Sequence, residues 1–270
     1  MKPFEWCEAP AADFAVIGDP VSHSRSPQMH NAAFKELGLD FKYVAVHVLP
    51  GEVKEALSHL AELGYQGINV TVPHKEEAIG WCLHVDRFVT EVQAVNTIDL
   101  ERHAGINTDA NGFLATLPDV PGKSALVLGA GGSARALARA LVREGWTVRI
   151  HNRTAEKATA LAAAVGAQTA DQPDPTGANL ILNTTSASLG GEELPVLWDK
   201  ADSGALAYDL AYGGELTPFL KAAAARGLAT MDGLAMLVQQ GALSLEWWIG
   251  ANAPIETMMK AAMVPPSEAE

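Results

Sequence analysis

Three small residues at a fixed spacing make residues 124–135 (SALVLGAGGSAR) the chemically most informative stretch of the chain. Gly129, Gly131 and Ala134 follow a short apolar run and lead into an alanine- and leucine-rich segment, as in the G-x-G-x-x-(G/A) pattern. This pattern needs a tight turn, close approach of the backbone to a pyrophosphate, and close packing of a helix on a strand. The stretch therefore predicts dinucleotide binding, although an isolated glycine pattern often marks an ordinary turn.

A basic residue follows the next strand pattern, at residues 147–151. Asn152, Arg153 and Thr154 stand where a site for an unphosphorylated ribose carries an acidic residue. Arg153, with Lys157 one turn further on, predicts a charged clamp on the 2'-phosphate of NADP, while helix amides near Ser133 face the pyrophosphate. The other interpretation is that Arg153 only caps a turn.

Four further segments place polar side chains where a plain scaffold does not require them. Each segment follows or interrupts an apolar strand pattern. Because the carboxyl ends of strands line the ligand crevice of an open parallel sheet, we expect these side chains to face a substrate. Taken singly, each could equally be a helix cap or a turn former. The segments are residues 22–27 (SHSRSP), 69–75 (NVTVPHK), 94–97 (AVNT) and 107–109 (NTD).

Strand and helix patterns alternate in two series that would carry these residues. The interval between the series contains residues 106–112 and 118–122, whose turn-forming composition predicts a hinge or crossover beside a cleft. We therefore predict an α/β protein of two domains, each with a mainly parallel sheet flanked by helices, the second a Rossmann-type dinucleotide-binding domain. The substrate domain is predicted at 1–111, with the helices of 234–270 packing back on it, and the NADP-binding domain at 112–233. Strands are predicted at 14–17, 41–48, 67–70, 125–128, 147–151, 180–183 and 205–209, and helices at 28–37, 52–63, 134–144, 155–165 and 234–249.

Composition narrows the class of protein. With 270 residues, 48% hydrophobic and 19% charged, the chain is expected to fold into one large or two medium domains. A formal charge of -13 argues against binding nucleic acid or anionic membrane surfaces. Cys7 and Cys82 suggest neither a disulfide framework nor a zinc site, and His23 and His30 lack further metal-ligand spacing. Because neither a secretory signal nor a long apolar run is found, a cytoplasmic protein is expected. The protein is further expected to be a monomer or homodimer.

Taken together, the polar segments and the glycine turn resemble the signature blocks of the shikimate dehydrogenase family. The resemblance covers about residues 15–250, and its motifs occur in the family's order. The blocks are GDPVSHSRSPQMHN from Gly18, NVTVPHK from Asn69, AVNT from Ala94 and NTDxxG from Asn107, then GAGGSAR, NRT, NTTS, DLAY followed by TPFL, and GLAMLVQQ.

The resemblance implies NADP-dependent interconversion of 3-dehydroshikimate and shikimate, with hydride transfer between the nicotinamide and the carbon bearing the 3-hydroxyl. Lys75 and Asp109 would be the catalytic pair, because a positioned Lys beside Asp can stabilise oxyanion charge and relay a proton. Ser24, Ser26 and Tyr212 would bind the substrate carboxylate, and Thr71, Asn96 and Gln240 its carboxylate end or ring hydroxyls. The implied cofactor residues are Gly129, Ala130, Gly131, Gly132, Ser133, Ala134, Asn152, Arg153, Thr154, Lys157, Thr184 and Gly233.

Three alternatives stay open at this point. Lys75 and Asp109 could form a surface salt bridge of little energetic worth. The chain could be a quinate or quinate/shikimate dehydrogenase that uses NAD or NADP. From another class, it could be a nonenzymatic module that senses NADP.

The sequence departs from the family pattern at three positions. Ala110 stands where Gly commonly follows the Asp, Ser188 where Gly is usual, and Gly214 where Pro often stands two places after the Tyr. Because Gly allows backbone angles and close approaches that Ala and Ser do not, these changes predict an altered loop geometry around the nicotinamide.

Overall fold

The computed structural model describes residues 2–265 and divides the chain into two compact units. Unit 1 comprises Met1–Gly112 and Leu237–Glu270, and unit 2 comprises Phe113–Met236. The chain passes between the units inside helices α4 (Asp109–Thr116) and α8 (Leu234–Ile249). The division falls after residue 112 rather than the expected 111, and after residue 236 rather than 233.

A seven-stranded sheet forms the centre of unit 1 in the described residues, with the order β1-β3-β2-β4-β6-β7-β5. Its strands are β1 (Phe4–Glu5), β2 (Phe14–Gly18), β3 (Tyr43–His47), β4 (Gly67–Val70), β5 (His84–Val85), β6 (Thr97–Asp99) and β7 (Ala104–Ile106). All neighbours pair in parallel except β6, which is antiparallel to both β4 and β7. All five residues of β2 are buried, as expected for a strand covered on both faces.

Helices cover the first sheet. They are α1 (Ser26–Glu36), α2 (Val53–Glu62), α3 (Arg87–Val92), α9 (Ile255–Met263) and the unit 1 parts of α4 and α8. Pro27 is the second residue of α1 and suits the first turn because its missing N–H needs no partner there. On α8, the Trp248 ring packs against Phe14 and its Nε1 donates to the Ile98 carbonyl at 3.0 Å. Helix α8 is thereby part of the core of unit 1.

A six-stranded, wholly parallel sheet forms unit 2 in the described residues, with the order β10-β9-β8-β11-β12-β13. This is the strand order of the doubly wound dinucleotide-binding fold, which reverses between β8 and β11. The strands are β8 (Ser124–Leu128), β9 (Thr147–His151), β10 (Gln168–Thr169), β11 (Leu180–Asn183), β12 (Leu206–Asp209) and β13 (Ala229–Met231), and the helices are α5 (Gly132–Arg143), α6 (Ala155–Val165) and α7 (Pro218–Ala224). The predicted fold class, with two mainly parallel sheets and a Rossmann-type second domain, is confirmed.

Residues 109–112 are helical, although the composition of 106–112 is turn-forming and predicts a hinge or crossover. Asp109 begins α4, and the Gly112 N–H bonds to the Thr108 carbonyl at 2.9 Å. The Asn107 side chain accepts from the Asp109 N–H at 3.0 Å. The same Asn and Asp residues that favour turns also favour helix N-termini, so composition alone does not separate the two.

Short 3-10 helices complete the described structure. They lie at Trp6–Glu8, Glu77–Trp81, Ala187–Gly190 and Trp198–Lys200.

Candidate active site

Polar residues collect at one edge of the first sheet. Thr71 and Lys75 follow the carboxyl end of β4, and Asp109 follows that of β7. Asn96 precedes β6, which runs antiparallel to both strands, so its amino end lies at the same edge. Three segments that are separate in the sequence are therefore brought together at this edge by the strand topology.

Lys75 and Asp109 form a buried ion pair. Lys75 Nζ donates to Asp109 Oδ2 at 2.5 Å, with 8% and 4% of the two residues exposed. Asn96 Nδ2 donates to the other carboxylate oxygen, Oδ1, at 2.9 Å. The pair is therefore not the exposed surface salt bridge that stood as an alternative, and both carboxylate oxygens are held by donors.

His74 precedes Lys75 and is a neutral neighbour. The ring is buried, and Nε2 donates to the Val48 carbonyl at 2.8 Å. Burial lowers the pKa of His74, with the hydrogen bond to Val48 acting in the opposite direction. The ring thus fixes the backbone beside Lys75 without adding a second positive charge.

Asn96 is held on both sides of its amide. Its Oδ1 accepts from the Thr108 N–H at 2.8 Å, and its Nδ2 lies 3.2 Å from Oε1 of Gln240. Gln240 belongs to α8, so this helix brings a predicted substrate-binding amide to Asn96, beside the ion pair. The structure thus joins Lys75, Asn96, Asp109 and Gln240 in one hydrogen-bonded group.

A second group of polar residues supports this site. Asn69 and Thr97 lie in the polar segments that the sequence singles out, whereas Ser244 and Tyr43 were missed by sequence reasoning. Ser244 Oγ on α8 lies 2.8 Å from Thr97 Oγ1, accepts from Asn69 Nδ2 at 3.0 Å and donates to the Gln240 carbonyl at 2.9 Å. Tyr43 donates from its hydroxyl to Asn69 Oδ1 at 2.7 Å. Ser244 lies one helical turn after Gln240 on α8, and that spacing was the one available signal.

The other predicted substrate residues occupy different places. Ser26 is buried at the start of α1, and its N–H bonds to Ser24 Oγ at 3.3 Å. Thr71 packs beside Gly18, where an added methyl group would meet Thr71 Cγ2 at 2.5 Å. Tyr212 lies in unit 2, after β12, and is half-buried.

The predicted cofactor residues follow the carboxyl ends of four parallel strands of unit 2, which are β8, β9, β11 and β13. Gly129 has φ +115°, and a Cβ there would overlap Thr184 Oγ1, so the close approach requires glycine. A Cβ on Gly131 would meet nothing within 4 Å, which leaves open space beside the start of α5. Ala134 is fully buried on α5, as the third small position of the motif requires. The backbone from Ala130 to Ser133, which leads into the first turn of α5, thus offers an amide cradle for a phosphate.

Positive charge is available at the end of β9. Arg153 and Lys157 are exposed, and neither forms an ion pair with any part of the chain that the structure describes. Asn152 Nδ2 donates to the Thr154 carbonyl at 3.0 Å, and Thr154 is the N-cap of α6. Gly233, after β13, lies so close to the backbone of Leu210 that a Cβ would meet its carbonyl oxygen. These residues fit a dinucleotide that carries an additional phosphate.

The three departures from the family pattern are accommodated in different ways. Ala110 is buried in α4, and neither Ala110 nor Ser188 has a positive φ, so neither position needs glycine for its backbone angles. A Cβ on Gly214 would meet nothing within 4 Å. Ser188 instead donates to Asp209 Oδ2 at 2.6 Å.

Neither a metal cluster nor a membrane-spanning helix occurs within residues 2–265. No group of three His, Cys, Asp or Glu side chains in this range lies close enough to hold a metal ion. No helix in the described range is both long and apolar enough to cross a membrane.

Family models match three stretches that together cover both units. The "Shikimate dehydrogenase substrate binding domain" matches residues 16–98, "Shikimate / quinate 5-dehydrogenase" residues 114–180, and the "Shikimate 5'-dehydrogenase C-terminal domain" residues 233–263. The matched stretches include Lys75, Asn96 and Gln240 as well as the glycine turn.

Full-length relatives and solved structures are similar along nearly the whole chain. The shikimate dehydrogenase (NADP(+)) of Methanocella arvoryzae is 41% identical over 262 residues, which are 92% of this chain and 97% of that protein. The shikimate dehydrogenase of Aquifex aeolicus has a TM-score of 0.87 at 37% identity, covering 94% and 98% of the two chains. The shikimate 5-dehydrogenase of Thermus thermophilus, solved with NADP(H) and shikimate, has a TM-score of 0.84 at 36% identity, covering 93% and 98%.

Proposed function

The chain belongs to the shikimate dehydrogenase family, and from this premise we propose that Lys75 and Asp109 exchange the proton in its reaction. The reaction is the reversible, NADP-dependent reduction of 3-dehydroshikimate to shikimate. Bound NADPH supplies the hydride. The residues of this chain bind and orient the reactants and move the proton.

The buried contact between Lys75 Nζ and Asp109 Oδ2 is the observation that carries the proposal. During reduction, negative charge develops on the carbonyl oxygen of the substrate, and a positioned ammonium group stabilises that charge. Lys75 Nζ then donates the proton that the oxygen takes up, and in the oxidation direction it receives the proton back. Asp109 holds the ammonium in place, and Asn96 holds Asp109.

The substrate is proposed to bind through neutral hydroxyl and amide groups. Ser24, Ser26 and Tyr212 bind its carboxylate, and Thr71, Asn96 and Gln240 bind its carboxylate end or ring hydroxyls. Hydroxyls and amides can satisfy a desolvated carboxylate without a second strong cation. A site built to bond substrate hydroxyls also rejects analogues that lack them, because its buried polar groups would then be unpaired.

NADP is proposed to bind at the carboxyl edge of the second sheet. The backbone from Gly129 to Ala134 receives the pyrophosphate, and Arg153 and Lys157 receive the 2'-phosphate. The remaining proposed cofactor-binding residues at this edge are Asn152, Thr154, Thr184 and Gly233. The support for these roles is the open space at Gly131 and the two exposed cations without ion-pair partners in the described residues.

Initial rates with shikimate or quinate, each with NADP or NAD, test the activity. We expect the highest kcat/KM for shikimate with NADP. Quinate turned over equally well, or NAD used equally well, would contradict the specificity, and no turnover of any pair would favour a module that senses NADP without reacting.

Lys75→Ala tests the catalytic pair. Loss of a general acid-base group lowers kcat by roughly 10²-fold or more, while binding of shikimate stays measurable. Lys54→Ala, which removes an exposed lysine from α2, is the matched control and should leave kcat unchanged. Wild-type turnover by Lys75→Ala would refute the assignment.

We further propose that the protein acts in the cytoplasm as a monomer or homodimer. The free cysteines Cys7 and Cys82 suit a reducing compartment. Light scattering coupled to size exclusion would separate the two assembly states, and a larger particle would contradict both.

A further inference from the structure

Unit 2 contains a fully buried carboxyl group, Asp209, at the carboxyl end of β12. None of its surface is exposed, and no Lys, Arg or His within residues 2–265 forms an ion pair with it. A buried carboxylate without a cation is costly unless hydrogen bonds compensate for its lost hydration. The burial of Asp209 beside the proposed cofactor edge therefore needs a structural explanation.

Four donors compensate for the burial of Asp209. Ser188 Oγ and Thr217 Oγ1 each donate to Oδ2 at 2.6 Å, while Asn183 Nδ2 and the Ala211 N–H donate to Oδ1 at 2.9 and 3.1 Å. Burial raises the pKa of Asp209, and the hydrogen bonds act against that rise. Every donor is neutral, so the carboxyl group acts as a shared acceptor and not as half of an ion pair.

The donors belong to the loops that follow β11 and β12. Ser188 lies in the 3-10 helix at Ala187–Gly190, and Asn183 Oδ1 also accepts from the N–H and the hydroxyl of Thr185. Between them along the chain, Thr184 donates from Oγ1 to the Leu128 carbonyl at 2.7 Å, beside Gly129 of the nucleotide turn. Asp209 is thus connected to the glycine turn through one short segment.

The second loop leads to the other predicted cofactor glycine. The Gly233 N–H bonds to the Ala211 carbonyl at 3.2 Å, while the Ala211 N–H bonds to Asp209. Thr217, which also donates to Asp209, is the N-cap of α7, where it accepts from the Leu220 N–H at 3.2 Å. A single carboxyl group therefore fixes both ends of the segment after β12.

We infer that Ser188 and Asp209 form a tether that positions the segments carrying Thr184 and Gly233 for NADP binding. Both are positioning residues, since they act through the neighbouring backbone. The inference rests on the proposed function and extends it to residues to which the family resemblance gives no role. Ser188 stands where that family usually has Gly, which has no hydroxyl, so this bond is a property of this chain's own loop.

Ser188→Ala tests the tether by fluorescence titration of NADPH and by initial rates. We expect Kd for NADPH and KM for NADP to rise about tenfold, because a hydrogen bond to a charged group is lost. At saturating NADP, kcat should stay close to that of wild type. Thr116→Val is the matched control, since it removes a hydrogen bond of unit 2 to Tyr208 without touching either loop, and its Kd should not change.

A double-mutant cycle separates the tether from general loosening of unit 2. If Ser188 acts through Asp209, the Ser188→Ala and Asp209→Asn effects on Kd overlap, and the double variant binds NADPH as the weaker single variant does. Fully additive effects, or an unchanged Kd in Ser188→Ala, would overturn the tether alone. Wild-type protein that binds no NADPH would overturn the proposed function.

Discussion

Asn96 Nδ2 donates to Oδ1 of Asp109 at 2.9 Å, on the oxygen that Lys75 leaves unused. The carboxylate therefore cannot rotate away from the ammonium without breaking a second hydrogen bond. Because Asn96 is itself held by the backbone N–H of Thr108, the orientation of Asp109 depends on the fold of the segment before α4.

Asn96→Ala should impair both turnover and stability. Asp109 loses a donor, and the Thr108 N–H is left without its partner, which costs about 1–3 kcal/mol in a buried site. We expect kcat to fall at least about tenfold, measured as initial rate per folded molecule. Asn31→Ala, which loses two hydrogen bonds to the Tyr43 backbone but touches no part of the ion pair, should destabilise without lowering kcat. Equal kcat in the two variants would refute a role for Asn96 beyond folding.

Arg153→Ala should weaken NADPH binding by roughly ten- to hundredfold while changing NADH binding little, because only NADPH carries the 2'-phosphate. Fluorescence titrations with both nucleotides measure the difference. Arg149→Ala provides the control, since Arg149 lies on β9, which ends two residues before Arg153, and bonds to the Thr176 carbonyl. A similar loss of affinity for both nucleotides would show that Arg153 does not contact the phosphate.

His30 should make the protein sensitive to acid. Its ring is fully buried and stacked on Tyr43 at 4.4 Å, and neither ring nitrogen has a hydrogen-bond partner in the described residues. Burial lowers the pKa of His30 from 6.5 to about 3. Between pH 6.5 and about pH 3, His30 is protonated in the unfolded chain but neutral in the folded chain. The free energy of unfolding therefore falls as pH falls, by at most about 1.4 kcal/mol per pH unit.

His30→Leu tests this linkage. Urea unfolding at about pH 7 and about pH 5 should show a smaller loss of stability in the variant than in wild type. His84→Gln, at an exposed histidine, should behave as wild type does. If the free energy of unfolding of His30→Leu depends on pH as that of wild type does, other groups account for the loss of stability in acid.

Gly233→Ala should be far more harmful than Gly214→Ala. A methyl group at Gly233 would overlap the Leu210 carbonyl and force the backbone after β12 to move, which costs about 1–3 kcal/mol or more. Gly214 has open space and no positive φ, so alanine there should be neutral or slightly stabilising. Thermal unfolding of the two variants checks this contrast, and similar melting temperatures would contradict it.

The sequence predicts the parts of the structure whose rules are local. The nucleotide turn could be identified because Gly129, Gly131 and Ala134 lie within six consecutive residues. Each of these small residues meets a requirement of the turn itself, which is a tight bend, close backbone approach or close packing of helix on strand. Strand β11 and helices α6 and α8 were likewise predicted at the limits that the structure has, since long apolar patterns and glycine stops define them.

The short elements of unit 1 could not be predicted in the same way. Strands β5, β6 and β7 have two or three residues each, too few to show a period, and β6 runs against its neighbours. In unit 2, strand β13 was missed, and of the helices expected in 234–270 only the first was given limits, so the bounds of α9 were not predicted. Asp109–Gly112 were counted with a turn-forming hinge or crossover because asparagine and aspartate serve turns and helix starts alike.

The candidate site shows the same limit. The pairing of Lys75 with Asp109 came from family resemblance, since no local pattern joins residues 34 positions apart. The supporting residues Ser244 and Asn69 are 175 positions apart, and only folding brings their hydrogen bond into being. Likewise, Ser188 looked like a departure from a loop pattern until the structure placed its hydroxyl against Asp209.

The two-part construction of unit 1 has a consequence for biosynthesis. Its residues 1–112 leave the ribosome first, but Gln240, Ser244 and Trp248 of α8 emerge only after the whole of unit 2 has been made. Unit 2 is one continuous segment and can fold while translation proceeds, whereas in the first segment Asn69, Asn96 and Thr97 must wait for the additional partners that α8 supplies. Helix α8 therefore completes the polar group around Lys75 and Asp109 only after unit 2 has been made, and a product terminated before Gln240 lacks that part of the group.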